Sequence, residues 1–273
     1  MIYLKTYCYS KHELPFIISQ LEEGYDYIDK FCVYEYNYTH TGQKKDYEME
    51  KVLHLIPENV KGKKLYYKKV DLTNFHVDSY NNELLCHKIN EPIQRSWFFN
   101  DKNIELKDND IIIDVDCDEI IYKDSFSKLL KEFERKQMIM SIKMNLFFFK
   151  NNYLWTNNMC NASSICKYSM IKNRFNIIKG KKTIQLRDNP NRTREIYGCH
   201  MSWVMPVQNM VEKLFKTAHT EYRQFADIKI MKKAISEKKY IFASNKPFNI
   251  EELSLDDSRI PKYLQKENIF DFL

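Results

Sequence analysis

A chain of 273 residues with only 5 Gly and 7 Pro, and no long Gly-, Ser- or Pro-rich stretch, reads as one domain spanning 1–273 with a C-terminal elaboration. Its 43 basic and 37 acidic residues are interspersed, and a net charge of +6 without a dense basic stripe excludes the usual nucleic-acid binder. Seven cysteines with no Cys-x-x-Cys pair exclude a disulfide framework or a zinc-finger pattern, and no signal peptide or run of 18 apolar residues is read, so a cytoplasmic protein without a membrane span is expected.

In chain order, Ile2 to Tyr9 predicts a strand, unusual in carrying the charged Lys5. Glu13 to Ile28 predicts a helix with Ile17, Ile18, Leu21, Tyr25 and Ile28 along one stripe, and Phe31 to Tyr36 a second strand ending in the polar run Asn37 to Gly42. Lys51 to Ile56 and Lys64 to Val70 are weaker strand candidates. Glu91-Pro92 reads as a helix start, because proline is tolerated in the first turn, with Ile93 to Asn100 following.

The stretch Asn109 to Tyr122 organises the rest. Ile111 to Ile113 form a short apolar run of the kind buried as a central parallel strand, and they lead straight into Asp114, Asp116 and Asp118. Alternation along an extended segment puts these three acids on one face, and hard oxygen ligands so placed at a strand's carboxyl end suit Mn²⁺ or Mg²⁺ holding a phosphorylated substrate. The plainer reading is helix capping: Asp124-Ser125 precedes a helix, Phe126 to Lys136, with Phe126, Leu129, Leu130 and Phe133 at helical spacing.

Met138 to Phe149 then alternates with period two, predicting a long strand. Asn157 to Asn191 is polar and irregular, with a possible strand at Ser163 to Tyr168 and basic runs at Lys179 to Lys182 and Arg187 to Arg194 that meet phosphates or are simply solvated. Glu195 to Met205 predicts a strand, Pro206 opens a helix, a polar knot follows at His219 to Tyr222, and Asp227 to Lys238 is a further helix. Strands alternating with helices through the first half predict an α/β fold, a mixed, mostly parallel sheet flanked by helices.

Taken together and in order, Glu35-Tyr36-Asn37-Tyr38-Thr39-His40-Thr41-Gly42, Gln94-Arg95, Asp116-Cys117-Asp118-Glu119-Ile120, His200-Met201-Ser202-Trp203 and Lys213-Leu214 to His219-Thr220-Glu221 resemble glycosyltransferase family 17, the β-1,4-mannosyl-glycoprotein N-acetylglucosaminyltransferases, over roughly Leu14 to Glu221. The resemblance implies a GT-A type fold with a donor half of about 1–125 and an acceptor half of about 126–273. It also implies inverting transfer of a sugar, GlcNAc foremost, from a UDP-sugar to a glycan or other hydroxyl acceptor. By the same resemblance Asp116 and Asp118 hold Mn²⁺ or Mg²⁺ with His219. Glu35, Thr39, Gln94, Arg95 and Asp114 serve the donor, Trp155, His200 and Trp203 the acceptor, and Glu221 is the general base. His200 is a rival to His219 for the metal shell. The family's Pro after the acidic motif is Ile121 here, and its Gly pair after the His-Ser-aromatic strand is Met205-Pro206.

Two other classes stay open on the residues alone. Acidic strand ends also build metal-dependent nucleotidyltransferases and phosphatases. A transferase fold can also persist as a non-catalytic sugar or nucleic-acid binding module.

Overall fold

In the computed structural model, which describes residues 1–62, 64–77, 83–216, 220–243 and 247–270, the apolar runs collect into one ten-stranded mixed sheet. Its first half is built from strand–helix units. Strand β1 (Ile2–Cys8) leads to helix α1 (Leu14–Gly24) and then to β2 (Lys30–Tyr36), and a short helix α2 (Glu58–Lys61) precedes β3 (Leu65–Val70). Helix α3 (Glu83–Arg95) then leads to β4 (Ile111–Asp114). These four strands run parallel in the order β4-β1-β2-β3. Strands β1 and β2 are buried along almost their whole length, as the interior of a parallel sheet requires, whereas β3 at the edge is largely half-exposed.

The second half turns antiparallel. A short β5 (Glu119–Ile121) is followed by α4 (Phe126–Lys136) and the long β6 (Met140–Phe148), then by β7 (Tyr153–Cys160) and β8 (Ser164–Lys167). Strand β8 joins the two halves by pairing antiparallel with both β4 and β6. A separate hairpin, β9 (Asn176–Ile178) and β10 (Lys181–Thr183), closes on Lys179-Gly180, both at positive φ as a two-residue primed turn demands. Strand β11 (Arg192–Ser202) then lies between β6, to which it is parallel, and β5, to which it is antiparallel. Helices α5 (Val207–Lys216) and α6 (Ile228–Ser236) and the edge strand β12 (Ile250–Glu252) complete the fold. Leu4, Ile17, Phe31, Ile113, Phe126 and Phe133 belong to the largest buried cluster, on the α1 and α4 side of the sheet.

Three expectations are corrected. Lys51 to Ile56 is not a strand but parts of two 3₁₀ turns, Met49–Lys51 and Leu53–Leu55; the buried Glu35 carboxylate accepts the backbone N–H groups of Glu48 and Met49 and holds the chain in a turn there. Glu91-Pro92 does not start a helix; Pro92 lies inside α3, at the loss of one internal hydrogen bond, and the helix runs only three residues beyond it. The residues from Tyr153 to Cys160 form a strand although Thr156, Asn157 and Asn158 within it are polar, because β7 turns its second part partly to solvent. No helix among the described residues is long and apolar enough to cross a membrane.

Candidate functional site

Extended backbone ends at Asp114, and residues 115 to 118 form a turn before β5, so strand alternation does not decide where the three aspartates go. Each meets a different cation. Asp114, on the last residue of β4, takes Lys5 of the neighbouring β1 at 2.6 Å, and both side chains are buried. Burial pushes the Lys5 amine below its ordinary value against the pull of Asp114. The same ammonium donates to the Arg95 carbonyl at 2.7 Å, while the Tyr36 hydroxyl donates to the Gln94 carbonyl at 2.6 Å. Two orphan carbonyls at the C-terminus of α3 are thereby satisfied, one of them by a positive charge, which the helix dipole favours there. The charged residue inside an apolar strand thus anchors the helix end that carries Arg95.

Asp116 sits between two guanidiniums. Arg95 Nη1 is 2.6 Å from its Oδ1 and Arg187 Nη2 is 3.1 Å from its Oδ2. Burial alone would raise Asp116, but Arg187 and Arg95 hold its carboxyl far below the usual carboxylate range. Arg187 in turn forks onto Glu119, with Nη1 3.0 Å from Oε2 and Nη2 2.6 Å from Oε1. Glu119 is fully buried and also accepts from the Ser163 hydroxyl at 2.6 Å and from the Asp116 backbone N–H at 2.8 Å. Gln20 of α1 closes the turn from beneath: its Nε2 donates to the carbonyls of Asp116, Cys117 and Glu119 at 2.9, 3.0 and 2.9 Å.

Asp118 is held more loosely. His200 Nε2 is 3.5 Å from one of its oxygens and Lys213 Nζ 3.9 Å from the other. Burial opposes its charge, yet His200 and Lys213 bring its carboxyl below the ordinary value. For His200 burial acts downward, but Cys160 and Asp118 raise it well above the usual imidazole range. Trp203, just past the end of β11, takes a left-handed conformation at φ 60° before the chain enters α5, and the Lys213 ammonium of α5 lies 5.3 Å from its ring centre.

The structure thus brings Asp114, Asp116, Asp118, Arg95 and His200 together, with Trp203 alongside. It places the other sequence candidates elsewhere or in supporting contacts. Gln94 is buried, donating to the Tyr38 carbonyl at 3.0 Å and accepting from the Tyr9 hydroxyl at 3.1 Å, and so ties the loop after β2 to α3. Thr39 packs inside that loop, 3.0 Å from the Thr41 hydroxyl, and accepts from the Gln43 N–H. Glu35 is enclosed by Lys45, Tyr67 and two backbone amides. Trp155 is buried against Phe148, Tyr240 and Phe248, its indole N–H donating to the Pro247 carbonyl, so its ring is part of the core rather than a sugar platform. Glu221 is exposed on a 3₁₀ turn, Thr220–Phe225, and His219 lies outside the described residues.

Sequence reading passed over Glu119, Gln20 and Arg187 as site residues. Glu119 had a signal, being the next acid in the same motif. Gln20 had none, since a polar residue on a helix ordinarily faces water. Arg187 was visible only as part of a basic run.

In donor chemistry the carboxylates of Asp116 and Asp118 fit a hard divalent ion such as Mn²⁺ or Mg²⁺. Asp118, with its partners at 3.5 and 3.9 Å, is the more open of the two, whereas an ion at Asp116 has to share it with Arg95 and Arg187. No protein-family model matches the chain, and no curated protein matches it significantly.

Proposed function

We propose that this chain is a metal-dependent inverting glycosyltransferase of GT-A type that moves a sugar, GlcNAc foremost, from a UDP-sugar to a glycan or other hydroxyl acceptor. The observation that carries the reading is the convergence of Asp116 and Asp118 with Arg95 just beyond the carboxyl end of a parallel strand, where open α/β sheets collect their ligands. The ordered motifs that resemble glycosyltransferase family 17 support it.

In this reading Asp118 and Asp116 hold Mn²⁺ or Mg²⁺, and a bound ion supplies Lewis-acid stabilisation of the departing diphosphate. The chain's own residues do the rest. Arg95, fixed by Glu91 at 2.6 Å and by Asp116, offers a planar cation for phosphate oxygens. His200 and Trp203 line the acceptor side. The resemblance gives Glu221, on the exposed turn after α5, the role of base for the proton that an inverting displacement releases from the attacking hydroxyl.

The test is thermal-shift screening with UDP, GDP, UDP-GlcNAc, UDP-glucose and GDP-mannose, each with and without Mn²⁺, on the native chain and on Asp118→Ala. A ligand that binds only the folded state raises the melting temperature by mass action. A Mn²⁺-dependent shift with one UDP-sugar, lost in Asp118→Ala, is expected. No shift with any nucleotide would turn the assignment toward a binding module, and phosphate release from simple esters toward a phosphatase.

A further inference from the structure

Beside the acidic turn lies a second set of donors with different chemistry. Glu119 opens β5, His200 lies opposite it on β11 in direct register, and Cys160 ends β7. One ligand atom from each, a carboxylate oxygen, an imidazole nitrogen and a thiol sulfur, all lie within 4.8 Å of one another. Cys160 is half-buried, whereas Cys8, Cys32, Cys117, Cys166 and Cys199 are buried.

We propose that Glu119, Cys160 and His200 form a binding site for a borderline-soft divalent ion, Zn²⁺ before all others, distinct from the hard-ion pair Asp116 and Asp118. A thiolate and an imidazole select zinc over Mn²⁺ or Mg²⁺, which favour oxygen shells.

Geometry supports this in three ways. Zn–S and Zn–O bonds of about 2.3 and 2.0–2.2 Å set an S···O edge of about 3.6 Å in a tetrahedral shell. Cys160 Sγ lies 3.7 Å from Glu119 Oε1, where the thiol now donates its proton. The imidazole is also arranged as ligating histidines usually are: Nε2 faces the Asp118 carboxylate at 3.5 Å, and Nδ1 is buried without a hydrogen-bond partner. With Nε2 turned to Asp118, Nδ1 is the nitrogen left to ligate.

Glu119 already carries Arg187, Ser163 and the Asp116 backbone N–H, but ligating carboxylates are commonly hydrogen-bonded in this way, and these partners fix its orientation. Binding releases protons as bonds form: Zn²⁺ takes the sulfur and Nδ1 lone pairs, the S–H and Nδ1–H bonds break, and those protons leave to solvent while Nε2 keeps its proton toward Asp118. Three protein donors leave a fourth place for water.

The experiment uses the full chain, purified without chelator or affinity metal. Its zinc content is measured by mass spectrometry, and after removal of metal it is reloaded with Co²⁺ and examined for the thiolate-to-cobalt charge-transfer absorption. About one zinc per chain and a cobalt–thiolate band are expected, both lost in Cys160→Ser and kept in Cys32→Ser, which alters a buried thiol elsewhere. Asp118→Asn, which keeps all three ligands, should weaken zinc about 10–100-fold by releasing the imidazole. Absence of the band from the native chain overturns the proposal, as does stoichiometric zinc that survives Cys160→Ser. The band needs no substitution to be read, so a variant that fails to fold does not shield the proposal. It is also independent of nucleotide binding, so the transferase reading stands or falls separately.

Discussion

Arg187 grips Glu119 with both of its terminal nitrogens, at 2.6 and 3.0 Å, and with one of them reaches on to Asp116 at 3.1 Å. The pair is almost wholly withdrawn from solvent. Two acids of the acidic turn therefore share one cation, and that cation comes from a loop some 70 residues later in the chain.

Removing one partner of a buried ion pair leaves the other charged and unsolvated. Arg187→Ala should destabilise the fold by about 3–5 kcal/mol in urea denaturation. Arg187→Lys keeps the charge but not the fork and should fall between the two. A loss below about 1 kcal/mol in the alanine variant would show that water reaches Glu119 and relieves it.

Gly198 is the close-approach position of the β5–β11 pairing. A Cβ there would stand 2.2 Å from the Ile120 carbonyl oxygen, a backbone atom that cannot swing aside. Gly198→Ala should cost about 1–3 kcal/mol or more and should loosen the register that sets His200 opposite Glu119. Faster hydrogen exchange confined to β5 and β11 is the expected signature, and unchanged exchange there would refute the close approach.

Glu132 of α4 accepts from the Tyr197 hydroxyl at 2.7 Å, from the Arg194 backbone N–H and from Lys136. Burial acts to raise it, but these partners bring its carboxyl below the ordinary glutamate value. A depressed carboxylate gives stability that is present above that value and lost as the pH falls through the lower, folded-state value. Glu132→Gln should therefore lower the melting temperature most at neutral pH, and the two curves should converge only once the pH has fallen below the lowered, folded-state value. A constant gap across the acid range would remove charge from the explanation.

Glu221→Gln retains size and polarity and removes the basic oxygen. In the transferase reading it should depress sugar transfer by about 10²–10⁴-fold while leaving the Mn²⁺-dependent UDP shift intact. Full transfer activity in this variant would pass the role of base to another group.

Much of the scaffold around the acidic turn was legible because its rules are local. The Ile111 to Ile113 run reads as a buried strand and helix Phe126 to Lys136 follows from its spacing, whereas Lys5 stands out only as a charge inside an apolar strand, with nothing in the order of residues to name its partner. Helix α3 was misplaced because Pro92 reads as a start while the helix is held from outside, by Lys5 and Tyr36 at its last carbonyls. Strand β7 was missed because an exposed half-strand carries no apolar alternation.

What the amino-acid order determined by itself is the α/β character and an acidic turn after a central strand, since both rest on contacts between neighbours in the chain. Which cation each acid meets was decided only by the tertiary structure. Lys5, Arg95, Arg187, His200 and Lys213 come from five separate segments, and no local periodicity connects them to Asp114, Asp116 and Asp118. Charge pairing at this distance in sequence depends on sheet order, and sheet order is a property of the packed whole.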